Sequence, residues 1–169
     1  MDMESFFNAI RQGDLNTVKT LGNRHPDLLD GKDQRGSTPL ILATYYNHGD
    51  IVDFLLEKGV GVDEKDGVGN TALMGVCFKG YTDIAEKLMK AGADVNTTNT
   101  MGSSCLIFAV TFNQEGITHM LLAHGADKSL KDARGHSALD HARMQGFSKL
   151  IELLENGNIN QQKNSTGHG

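Results

Sequence analysis

Apolar residues along this chain recur at helical spacing. In the stretch from Asp50 to Lys58, the residues Ile51, Val52, Leu55 and Leu56 define one face, which predicts a helix there. A shorter apolar stretch precedes it and predicts a first helix over about Thr38 to Tyr46. Pro39 stands in the first turn of that helix, where a missing N–H costs little. Thr38 is placed to cap the free helix amides. Gly59 ends the second helix, because the left-handed backbone needed there is cheap for glycine. The pattern then returns in steps of 33 residues. Leu40, Leu73, Leu106 and Leu139 keep that step. So do Ile51, Ile84, Ile117 and Leu150, and so do Leu55, Leu88, Leu121 and Leu154. Gly36, Gly69, Gly102 and Gly135 form another ladder, as do Gly59, Gly92 and Gly125, with Asn158 next in line. Several ladders in one register are a tandem repeat. Thr71, Ser104 and Ser137 take the capping place of Thr38. Asp33, Asp66, Asn99 and Asp132 are placed to bond turn amides. One helix pair cannot bury both of its sides, so neighbours must stack into a helical solenoid with one continuous core.

The units read DQRGSTPLILA, DGVGNTALMGV, NTMGSSCLIFA and DARGHSALDHA, closed by KGVGVDEK, AGADVNTT and HGADKSLK. This pattern resembles the ankyrin repeat over about residues 3–155; the first unit shows it mainly in its helices, as FFNAIRQGDLNTVKTL. The resemblance implies an all-α solenoid with hairpin-like turns along one edge. It implies an N-terminal cap over about 1–32, full repeats at 33–65, 66–98 and 99–131, and a C-terminal cap at 132–155. Residues 156–169, with one large apolar residue (Ile159), are expected to form a disordered tail. There are departures from the family pattern. Ile41, Met74, Ile107 and Asp140 stand where the family often has His, so apolar packing is expected in place of that residue's hydrogen bonds. Gly75 sits inside a helix and is expected to cost up to about 1 kcal/mol relative to Ala, making that repeat a soft point. HPDLLDGKD (25–33) lengthens the first connection, and Pro26 limits helix continuation.

Composition narrows the function. Glycine is 20 of 169 residues, and the repeat turns account for much of it. The net charge of −5 argues against a general binder of nucleic acid or anionic membrane, which needs basic surface. No apolar run approaches the roughly 20 residues of a membrane span. The first residues, MDMESFFNAIRQGDL, lack a basic start and a long apolar run, so no secretory signal is read there. Cys77 and Cys105 stand alone and are expected to be reduced thiols, Cys77 partly buried beside Phe78. A cytoplasmic location is the expectation.

The candidate site is a surface. Two adjacent places per repeat, at the end of each first helix, lie on the inner, concave side of ankyrin-like stacks. Here they hold Tyr45 and Tyr46, Phe78 and Lys79, Thr111 and Phe112, and Met144 and Gln145. Aromatic and Met residues favour interface cores, so this stripe is expected to receive a partner. The bland alternative is that the rings fold back and help pack the repeats. The turn tips are the second set: Gln34, Arg35 and Ser37, then Val68 and Asn70, then Thr100, Met101 and Ser103, then Arg134 and His136. Variable turns on a rigid array commonly carry recognition.

Other chemistry is weakly supported. GVGVDEKDGVG (59–69) has the glycines of a phosphate loop but no flanking strand, so no nucleotide site is expected. His119 and His124 are five apart, as are His136 and His141, whereas a helical ligand pair prefers four; no metal centre is expected. His141, where the family usually has Leu, is expected to be a packed histidine with a hydrogen-bond partner. The acids recur in repeat register, which implies structural roles, whereas a catalytic constellation needs convergent groups. The sequence therefore points to a non-enzymatic module that needs no cofactor and binds a protein partner through its concave face and turn tips. It is expected to be a monomer, with self-association through the groove as a second possibility. The alternative reading is an accessory subunit that protects or modulates one enzyme.

Overall fold

The computed structural model describes residues 2–156. Among the described residues, ten α-helices form five pairs. The first pair is α1 (Asp2–Gln12) and α2 (Leu15–Arg24), and the second is α3 (Pro39–Tyr45) and α4 (Gly49–Glu57). Then follow α5 (Ala72–Lys79) with α6 (Thr82–Lys90), α7 (Cys105–Thr111) with α8 (Glu115–Ala123), and α9 (Ala138–Gln145) with α10 (Ser148–Asn156). The first helices pack in a row, α1 on α3, α3 on α5, α5 on α7, α7 on α9. The second helices α2, α4, α6 and α8 form a parallel row. HPDLLDGKD is not an open loop: Pro26–Asp30 winds a 3-10 turn that buries Leu28 and Leu29 over the first pair. Asn156 still belongs to α10, so the expected tail boundary falls one residue early; the rest of that segment, with Asn158, lies outside the described residues.

The ladders read from the sequence are the core. Leu40, Leu73 and Leu106, Ile51, Ile84 and Ile117, and Leu55, Leu88 and Leu121 are all buried. Ala43, Val76, Ala109 and Ala142 lie between the first helices with no exposed surface. Met74 and Ile107 are buried at the places where the family often has His, so apolar packing replaces that residue there; Ile41 is half-buried, and at Asp140 the expectation fails, because its carboxylate accepts from the Ser137 N–H at 2.9 Å in a capping box. The hydroxyls of Thr38, Thr71, Ser104 and Ser137 accept from the backbone N–H of Ile41, Met74, Ile107 and Asp140 respectively.

The turns are built alike. Oδ1 of Asp33 accepts from the N–H of Arg35 and Ser37, both at 2.9 Å, and Asp66, Asn99 and Asp132 repeat the arrangement. Successive turns are laced by backbone hydrogen bonds. Gly67 N–H donates to Arg35 carbonyl (3.0 Å), Thr100 to Val68 (3.1 Å) and Ala133 to Met101 (2.9 Å). This close approach is why Gly36 is required: its φ is +79°, and a Cβ there would lie 2.8 Å from Gly67 N. The tips thus form a braced edge along the solenoid.

Candidate functional site

The first-helix row and the tip edge enclose a groove of about 890 Å³. It is lined by Tyr45, Tyr46 and Phe78 from the first helices, by Arg35 and Val68 from the tips, and by Met74 and Gly75 of α5. Each of these places follows from local structure. Tyr46 and Phe112 cap the C-terminal ends of α3 and α7, while Tyr45 and Phe78 lie in the last turns of α3 and α5. A side chain at such an end is not covered by the next helix of its own unit.

Among the described residues, eight large apolar side chains are exposed. Met3 is one. The other seven are Tyr45, Tyr46, Phe78, Phe112 and Met144 of the stripe and Val68 and Met101 of the tips. Their exposure runs from 40% to 59%. The stripe rings also touch one another. Phe78 and Phe112, on neighbouring units, meet edge to face with centroids 4.5 Å apart. Tyr45 and Tyr46 meet at 5.2 Å and 81°. Lys79 is half-buried, its Nζ 4.6 Å from the centre of the Tyr45 ring, a cation held on an aromatic face across the repeat boundary. The rings therefore brace each other and still keep about two-fifths of their surface in solvent.

The tip set divides. Gln34, Arg35, Val68, Thr100, Met101 and Arg134 are exposed on the outer part of the turns. The place just after each turn glycine faces inward instead: Ser37 is buried, and Asn70, Ser103 and His136 are half-buried. The reason is the turn itself, because the N–H of each of these residues is tied to the Asp or Asn that opens it. Asp33 and Asp66, the carboxylates that reach the groove, are occupied in the same way, and Asp33 also faces Arg11 at 3.5 Å.

Cys77 is deeper than expected. It and Cys105 are both free and fully buried between α5 and α7. Burial, with a smaller effect from Cys105, pushes the Cys77 thiol well above its ordinary pKa, so it stays protonated and inert at neutral pH. His141 does have a hydrogen-bond partner: its Nε2 lies 2.7 Å from Oδ2 of Asp132.

Sequence reasoning treated Gly75 as a stability defect alone. In register it matches Leu42, Phe108 and His141. A Cβ built on Gly75 meets nothing within 4 Å, because the space beside it is the groove. The signal was present in the sequence, as the one glycine in a row of large side chains.

A family model described as ankyrin repeats (3 copies) matches residues 6–99 and again residues 74–165. The chain belongs to the ankyrin repeat family. Ankyrin repeats are generally protein-interaction modules. This ankyrin repeat protein is also similar to protein fem-1 homolog C of Xenopus laevis, at 41% identity over 63 residues. That match covers 34% of this chain and 10% of the relative, so the two share repeats over a small part of a much longer protein. No helix among the described residues is long and apolar enough to cross a membrane.

Proposed function

We propose that this ankyrin repeat chain is a non-catalytic adaptor that holds a protein partner in the groove between its first helices and its turn tips. The observation that carries this reading is the clustering of exposed apolar residues. Seven of the eight among the described residues lie on the stripe and the tips, and four of them, Tyr45, Tyr46, Val68 and Phe78, line the groove. Contiguous exposed apolar surface is uncommon without a role. The rings are fixed by mutual contact and by a backbone-laced edge, so little side-chain freedom is lost when a partner arrives. Arg35 at the rim and Lys79 over Tyr45 supply the polar margin that surrounds such an apolar centre. The standard contact of about 800 Å² per partner is within reach of a face spanning several repeats.

The test is a pull-down from the native host with the wild-type chain and with Tyr46→Ala plus Phe112→Ala. The variant is expected to lose the captured partner while keeping its far-UV circular dichroism and unfolding midpoint. Unchanged capture would remove the stripe from the reading. A single stoichiometric enzyme among the captured proteins would favour the narrower role of an accessory subunit.

A further inference from the structure

The last unit carries a side-chain cluster that the groove does not use. Three places in the turn and first helix can be followed through four units. They hold Asp33, Ser37 and Leu42, then Asp66, Asn70 and Gly75, then Asn99, Ser103 and Phe108. In the last unit they hold Asp132, His136 and His141. Of these four units, that one alone has a metal-ligating side chain at all three places. A four-residue spacing matters only for two histidines on one helix. These two do not share one: His136 lies in the turn before the cap Ser137, and His141 lies on α9. The turn brings them together with Asp132.

Ligand atoms of Asp132, His136 and His141 all lie within 4.8 Å of one another. Oδ1 of Asp132 is held by the N–H of Arg134 and of His136, each at 3.0 Å. That fixes the carboxylate and leaves Oδ2 facing His141 Nε2 at 2.7 Å. The two imidazoles stand edge to face with centroids 5.6 Å apart. Ligand atoms about 2.0–2.2 Å from a tetrahedral ion are roughly 3.3 Å from each other, so small side-chain rotations admit the ion. Burial works against ionisation of Asp132, but the N–H of His136 and the imidazole of His141 outweigh it and hold the carboxyl below its ordinary range. All three residues are half-buried, so the cluster keeps some contact with solvent.

We propose that Asp132, His136 and His141 form a binding site for a divalent transition metal of the Zn²⁺ class, with three protein ligands and a fourth place open to solvent. A mixed imidazole and carboxylate set suits such an ion. Bound there, the ion ties the last turn to α9 in the unit with no outer helix pair among the described residues. A ligand that binds only the folded chain raises its stability in a concentration-dependent way. This inference does not depend on the groove reading.

The experiment is calorimetric titration of the chelator-treated full chain with Zn²⁺ alone, beside its melting temperature with and without the ion. Co²⁺ serves as the spectroscopic probe of coordination. Saturable uptake of one ion per chain and a raised melting temperature are expected. The variants Asp132→Asn, His136→Ser and His141→Phe install what the third full repeat carries as Asn99, Ser103 and Phe108, so each suits the fold. Each is expected to weaken Zn²⁺ binding at least tenfold and to abolish the thermal shift, because loss of even an outer partner of a ligand costs that much. If the wild-type chain shows no saturable binding, or if His136→Ser and His141→Phe bind as well as wild type, the idea is overturned. The cluster is then a hydrogen-bonded pair and nothing more.

Discussion

The third full repeat and the last unit present the same register to different surroundings. In the third full repeat Leu106 is sealed between helix pairs; in the last unit its counterpart Leu139 is half-buried because no pair follows α9 and α10 among the described residues. At the place of the buried Val110 the last unit has Arg143, exposed and paired with Glu155 at 2.7 Å. Where Phe108 leans into the groove, the last unit has His141, hydrogen-bonded to Asp132. In a solenoid, then, burial is a property of the neighbour as much as of the residue. The inner places are committed to packing, and the outer end is free to carry polar side chains. Truncation measures this directly. Leu106→Ala is expected to cost about 2–5 kcal/mol of unfolding free energy, in the range for buried leucines. Leu139→Ala, with less surface to lose, is expected to cost under half as much. Urea unfolding of both variants checks the comparison, and equal losses would break it.

The buried thiol gives a second contrast between inside and end. Cys77 has its pKa raised by burial above the ordinary 9.0, whereas the unfolded chain ionises near that value. Above about pH 9 the unfolded state therefore binds fewer protons than the folded state. Stability must fall as pH rises, by up to about 1.4 kcal/mol per pH unit for this thiol until the folded pKa is reached. Cys77→Val should remove that part of the alkaline loss. Stability curves of the two proteins between pH 8 and 10.5 would then diverge with rising pH. Parallel curves would show that the thiol titrates alike in both states.

Much of this architecture was readable in the chain because repetition supplies its own controls. Four capping hydroxyls, four turn carboxylates or amides, and three apolar ladders each recur at one step, so each assignment is tested by its copies. The stripe was readable for the same reason: Tyr45, Phe78 and Phe112 fall where copies end their first helices. What escaped depends on atoms brought together across turns. Ser37 and His136 looked like exposed tips, but the amide bonds of the turn swing them inward. The 3-10 turn at Pro26–Asp30 has no copy elsewhere, so register gave no guide to it. The Asp132, His136 and His141 cluster joins a turn to a helix, and counting residues along a single helix misses it.

Gly75 ties packing to recognition, and its expected effect is the smallest. Its φ is not positive, and an added Cβ meets nothing within 4 Å, so alanine fits without strain. Gly75→Ala should stabilise the chain by about 0.5–1 kcal/mol, from helix propensity and a less mobile unfolded state. A small methyl at the groove floor should leave partner capture nearly intact. Gly75→Phe makes the harder comparison, since it installs the residue that Phe108 represents in the next unit. That ring has to lie in the groove, whose lining Gly75 shares with Tyr45 and Val68. Stability should then hold near wild type while capture is lost. This split between unfolding midpoint and binding belongs to a groove kept open for an occupant. If Gly75→Phe instead unfolds the repeat, the space is packing room for neighbouring helices. If both variants bind as wild type, the partner sits on the tips alone.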